Sequence, residues 1–150
     1  MTHITKTVAT VLEQELIPTI QQWMQCVEEI PELSGISLTY DDRTGHLPQL
    51  LKELITRLRL TKGSKRPSTT FAHDHGRVRF EQGYSVVLLV EESRLLQVSI
   101  FNTLRRHQKS LDLDRLLPDV ITIADECDTQ LKHAVETFME LEKHCKHAAA

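Results

Sequence analysis

Five glycines and five prolines in 150 residues leave few places where the backbone must turn sharply, and aromatic residues make up only 5% of the chain. Such a chain has little material for β-hairpins, whose tight turns need glycine and whose strands favour aromatic and β-branched residues. Leu, Glu, Gln, Lys and Arg, which lose little rotamer freedom in a helix, are plentiful instead. The expectation is an all-α fold. With 40% hydrophobic residues, a chain of this length builds one core more readily than two.

Long apolar runs are also missing. The longest, Val86 to Val90, is far short of the roughly 20 residues that span a bilayer, so no membrane partner is expected. A secretory leader is not expected either, because Glu13 and Glu15 interrupt the region where its apolar block would lie. Cys26, Cys127 and Cys145 are an odd set with irregular spacing, which fits reduced thiols in the cytoplasm better than a disulfide framework. A formal charge of −3 argues against nucleic acid, whose phosphates require a clustered basic surface. The one basic run, Arg57 to Arg66, has no interleaved aromatics to stack on bases. It reads as a helix end and a solvated loop.

What is present is helical periodicity. A first helix is expected from Ile4 to Glu28, kinked at Pro18 and anchored in the core by Trp23. Pro31 to Asp42 reads as a loop that re-enters helix near Asp41. Leu47, Leu50, Leu51, Leu54, Ile55 and Leu58 then recur at helical spacing up to a break at Lys62 to Ser68. Ser68 or Thr69 can cap a third helix that ends at Gly83, and Ser85 can cap a fourth, running to about His107. The fourth is apolar on most sides and reads as the central helix of a bundle of about five. So short a turn between the third and fourth makes them antiparallel neighbours.

After a loop at Ser110 to Asp114, Leu117, Val120, Ala124, Cys127, Leu131, Ala134, Phe138, Leu141 and Cys145 follow at alternating steps of three and four. This is a heptad seam, suited to a homodimer through the last helix or to packing of that helix on its own bundle. The small and large seam residues Ala124, Cys127, Leu131, Ala134, Phe138 and Leu141 are the candidate dimer or output positions. Residues 1–147 read as one domain in which 112–147 form the output helix, and Ala148 to Ala150 read as a cloning remnant.

One residue fits this pattern badly. Glu92 has Leu88, Leu89, Leu95 and Leu96 at i−4, i−3, i+3 and i+4, which puts its carboxylate within an apolar stripe. An unpaired carboxylate there loses several kcal/mol or takes up a proton. His75, Arg79 and Tyr84 are its candidate partners, because counting outward from the turn sets His75 and Arg79 beside Leu88 to Glu92. The cluster can fix the register of two helices, or it can be a pocket in which Arg79 grips an anionic effector and Glu92 or Tyr84 orients it.

Read together, HLPQLL (His46 to Leu51), HGRVRFEQGYS (His75 to Ser85) and LVEESRLL (Leu89 to Leu96) resemble the N-terminal sensory domain family of RsbRD-type co-antagonists, which is also found ahead of bacterial histidine kinases. The pattern falls on His75, Gly76, Arg79, Gly83, Tyr84, Glu92, Leu95 and Leu96. It departs at Ser93, where the family usually has an aromatic, and at Gln97, where it usually has a basic residue. The resemblance implies an all-helical input module that passes a signal or a dimer contact to an output domain in the same chain. A sensor histidine kinase is the favoured output and a STAS domain of stressosome type the alternative. A small ligand or a protein effector is implied without being identified.

Other chemistries have less support. His73 and His75 stand at i and i+2, about 200° apart around a helix, so a shared metal is not expected. No Cys-x-x-Cys-His element suggests haem, and no cofactor is expected. As a phosphotransfer bundle, His73 is followed one turn on by Gly76 and Arg77, in the wrong order for phosphate approach, and His133 lacks the acidic neighbour of a kinase phosphoacceptor. No nucleophile elbow is present, so the chain is not expected to be an enzyme.

Overall fold

The structure, a computed structural model, describes residues 4–61, 64–65 and 68–148. Among these the chain is helical with no strand, as the composition predicts; one isolated bridge joins Lys6 to Leu111. The helices are α1 (Val8–Gln14), α2 (Leu16–Glu28), α3 (Pro31–Ser34), α4 (Tyr40–Thr44), α5 (Leu47–Leu58), α6 (Thr70–Glu81), α7 (Val86–Arg106) and α8 (Leu113–Ala148), with a 3-10 turn at Gln108–Ser110. No helix among the described residues is long and apolar enough to cross a membrane.

The expected first helix starts later and breaks earlier than Pro18. Thr7 caps α1 through its Oγ1, which accepts from Thr10 N at 3.1 Å. The chain leaves helical geometry at Glu15 (φ −104°, ψ 22°). Pro18 explains the position, because a proline ring in an unbroken helix collides with the carbonyl four residues back, here Gln14. Placed near the start of α2, the proline is tolerated. Pro31 to Asp42, read as a loop that re-enters helix near Asp41, contains the short α3 and then the start of α4, which is the expected re-entry. The second of these, α4, starts where Thr39 Oγ1 accepts from Asp42 N at 3.1 Å. The break at 62–68 lies partly outside the described residues.

The caps read from sequence around α6 and α7 are largely found. Ser85 Oγ accepts from Leu88 N at 3.2 Å. Gly83 has φ +87°, a conformation that strains any side-chain-bearing residue. At the start of α6 the cap residue is Thr69, without a side-chain cap bond, and Ser68 Oγ accepts from Thr70 N at 3.2 Å.

Helix α7 is central, touching α1, α2, α3 and α8. Trp23, Leu54, Leu89, Ile100, Ile123 and Phe138 are among the fully buried side chains around it, and aliphatic or Phe burial of this kind contributes roughly 1.5–3 kcal/mol per residue. Its outer face stays open, with Val87, Val90 and Val98 exposed. Helices α6 and α7 are joined at Glu92, but the more extensive neighbour of α6 is α8. The backbone of α6 lies against α8, and α6 reaches α7 chiefly through side chains. Gly76 makes this possible: a Cβ there would stand 2.1 Å from the Ala134 carbonyl oxygen, so only glycine lets the two backbones approach.

The heptad seam divides between core and surface. Cys127, Ala134 and Phe138 are buried in the chain's own core, while Ala124, Leu131 and Leu141 are half-buried. The middle of the seam is therefore occupied within the bundle. A 3.5-residue period sets the spacing of an apolar stripe but is silent on whether the opposing surface belongs to the same chain.

Candidate functional site

Glu92 is 3% exposed, and two of its three candidate partners, His75 and Arg79, bind it, whereas the Tyr84 hydroxyl turns to Arg43 instead. Its Oε1 accepts from His75 Nε2 at 2.8 Å and from Arg79 Nε at 2.9 Å. Burial alone pushes the carboxyl upward; the hydrogen bonds and charges of His75 and Arg79 outweigh it and hold the group below its ordinary 4.5. Glu92 is thus an ionised, acceptor-only group within the bundle. Its main-chain oxygen also takes a hydrogen bond from Trp23 Nε1 at 3.0 Å, so the core anchor and the polar hub meet at one residue.

Arg79 is wholly buried. Besides Glu92, its guanidinium donates to Asp42 O at 3.0 Å, to Gln82 Oε1 at 2.7 Å and to Arg43 O, and it sits over the Tyr84 ring, 4.7 Å from the centroid. The last carbonyls of α4 have no partner within that helix, and a buried cation meets that need. Tyr84 OH accepts from Arg43 Nη1 at 2.9 Å. Burial first, then the neighbouring Glu92, pushes the Tyr84 phenol up to about 12.

This geometry gives the anionic-pocket alternative no support: each nitrogen of Arg79 already donates within the protein and the side chain is wholly buried. Arg43 and Gln82 were missed by the sequence reading, and so was α4 as a source of acceptors. The available signal was Thr39 with Asp42 three residues on, a helix-start pattern. Backbone carbonyls themselves carry no side-chain signature.

Beside the hub lies a cavity of about 30 Å³ where α5, α6, α7 and α8 converge. Leu50, Leu89, Leu96 and Cys127 line it, and its polar residues are His75, Glu92, Ser93 and Gln130, the last donating its amide to Leu50 O. Among its lining residues only Ser93 and Leu131 are half-buried rather than buried, so they mark its mouth. Glu92 Oε2 accepts no hydrogen bond from any described protein group.

His73 and His75 face different helices, as their spacing requires. His73 Nδ1 is hydrogen-bonded to Thr137 Oγ1 of α8 at 2.7 Å, and its ring lies 4.9 Å from that of His133. Among the described residues no group of three or more His, Cys, Asp or Glu is placed to hold a metal ion. The basic run is partly neutralised within the fold, Arg57 pairing with Asp125 and Glu126 of α8 and Arg59 with Glu13 of α1.

The three cysteines are free. Burial, then Asp128 and Glu126, pushes the Cys127 thiol up to about 12, whereas Cys145 is exposed. Since the thiolate is the reactive form, a disulfide dye reagent should label Cys145 rapidly in the native protein and Cys127 only on unfolding. Fast native labelling of Cys127 would show that α8 does not pack as described.

No curated protein and no solved structure matches the chain. A family profile described as the RsbT co-antagonist protein rsbRD N-terminal domain matches residues 18–144, an interval that contains the ion cluster, the cavity and all but the last turn of α8. The chain therefore belongs to the RsbT co-antagonist rsbRD N-terminal domain family.

Proposed function

We propose that the chain is the regulatory input domain of a bacterial signalling protein, and that it acts by passing the packing state of α6 to α8. The observation that carries this reading is the double attachment of α6. Its His75 and Arg79 hold Glu92 of α7, while Gly76, between them in sequence, sets its backbone against Ala134 of α8. A change that loosens the first attachment acts on the second. Helix α8 is 36 residues long, and from Met139 onward its side chains are half-buried or exposed, so a small rotation at Ala134 is carried as a larger displacement at its end. Packed helices move between discrete arrangements, and a coupling of about 1–3 kcal/mol is enough to shift them.

The family match favours an output of the co-antagonist, stressosome type, with a STAS domain in the same chain; a histidine kinase output is the alternative. Three free cysteines favour a cytoplasmic setting. A homodimer fits the exposed Leu113, Leu117 and Ile121 on the outer face of α8 better than the occupied middle of the seam. Phosphotransfer has less support, because His75 is buried against Glu92 and His73 is tied to Thr137.

Spin labels at the exposed positions Val87 and Met139 test the coupling. Weakening the cluster by Glu92→Gln should shift the distance distribution between them; an unchanged distribution in a folded variant would remove this reading. Light scattering tests the dimer face. Leu117→Asp with Ile121→Asp should give monomers of unchanged melting temperature, and persistent dimers would exclude this surface.

A further inference from the structure

We propose that the cavity between α5, α6, α7 and α8 binds a small neutral molecule that joins one hydrogen-bond donor to an apolar body, such as a short alcohol or a primary amide. The proposal deepens the input-domain reading and rests on it for the consequence of binding, though not for binding itself.

The polarity of the ligand follows from Glu92. One of its oxygens takes both protein donors, and the other, Oε2, takes none, although the residue is 3% exposed and forms part of the cavity wall. A buried carboxylate oxygen without a donor is an unmet requirement. Since a carboxylate only accepts, whatever satisfies Oε2 must donate. An anion is disfavoured by repulsion from Glu92 and by the burial of Arg79, each of whose nitrogens already donates within the protein. A cation is disfavoured because Arg79 already balances the charge of Glu92, leaving an ammonium group uncompensated among leucines.

Size and shape follow from the remaining wall. Leu89 and Leu96, which flank Glu92 on α7, and Leu50 of α5 present aliphatic surface to the cavity, which rewards an apolar body. Roughly 10–15 Å³ of free space admits one water, so the 30 Å³ here suits a molecule of a few heavy atoms. Ser93 and Leu131 give it a way in. Small molecules that occupy such a site touch α7 through Glu92 and α8 through Leu131 at once, so binding bears directly on how those helices pack.

The test is a titration of the full chain with ethanol and with acetamide, followed by the methyl resonances of Leu50, Leu89 and Leu96. Acetone, which accepts but cannot donate, and acetate, an anion, serve as controls. Saturable shifts confined to these methyls are expected for the two donors, with at least tenfold weaker binding of acetone and acetate. Ser93→Phe, which fills the mouth without touching the ion cluster, should abolish the shifts while the protein stays folded. Absence of saturation by either donor would mean that the cavity takes water alone and would overturn the proposal; equal binding of acetone would reduce it to a nonspecific void and overturn it as well. Failure here is distinct from failure of the input-domain reading. Ligand shifts without any change in the Val87 to Met139 distance would sink the relay and leave the site, whereas a distance that responds to Glu92→Gln without ligand binding would do the reverse.

Discussion

Arg79→Met should lower the unfolding free energy by about 3–5 kcal/mol at neutral pH, the range found when one partner of a buried ion pair is removed and the other stays charged. The variant strands Glu92 with His75 alone and removes the donor serving Asp42 O, Arg43 O and Gln82 Oε1. Methionine fills much of the space, so lost packing is the smaller part. Urea denaturation at pH 7 reads the effect directly. A double variant, Arg79→Met with Glu92→Leu, should recover a good part of the loss, because replacing both charges by apolar groups removes the desolvation penalty along with the attraction. A loss below about 1 kcal/mol in the single variant would put the pair in the class of solvated surface bridges and contradict its burial.

The same variant carries a pH signature. In the native protein the Glu92 carboxyl is held below its ordinary 4.5, since His75 and Arg79 together outweigh the opposing effect of burial. Its contribution to stability is therefore present above about pH 4.5 and is lost as pH falls through the depressed folded value. Without Arg79, burial is opposed by His75 alone and the folded carboxyl rises. A proton can then take the place of the missing guanidinium. The deficit of Arg79→Met relative to the parent should be largest near pH 7 and should shrink as pH falls toward 4.

Gly76→Ala should destabilise by at least 1–3 kcal/mol, and its sign is the informative part. At an exposed helical position the same change stabilises by about 0.5–1 kcal/mol, because glycine is a poor helix former. Here the new methyl would stand 2.1 Å from the Ala134 carbonyl oxygen and 2.8 Å from its carbonyl carbon. Those are backbone atoms, which cannot rotate away, so α6 and α8 must separate along the packed length of α6. For that reason Ala134→Gly should not rescue the variant. Thermal unfolding of the single and double variants checks both statements, and a stabilised Gly76→Ala would mean that the two helices are not in backbone contact.

Much of the polar hub could be anticipated because each step depended on local rules. Glu92 stands out among leucines by helical spacing, Ser85 and Gly83 mark the turn, and counting from the turn sets His75 and Arg79 across from the acid. What escaped was anything built from backbone. Arg79 looked available to an effector because two of the acceptors that engage it are main-chain oxygens, of Asp42 and Arg43, where the sequence reads as re-entering helix. Gly76 matched the family pattern, yet its role as the contact point with α8 depends on an element nearly sixty residues away.

The heptad repeat shows the same division. Its period marked a long amphipathic α8, and that helix is found. Whether its stripe meets a second chain or the first depends on the space between α5, α6 and α7, which no local pattern encodes.

By itself, then, the order of residues determined an all-helical chain with an acid that needs a base and a guanidinium beside it, since helix periodicity and the penalty for a buried charge act over a few turns. Only the tertiary structure decided that every nitrogen of the guanidinium donates within the protein, that one oxygen of a carboxylate beside a cavity has no protein donor, and that α6 rests on α8. Those outcomes depend on where distant backbones meet, and close packing settles that for the whole molecule at once.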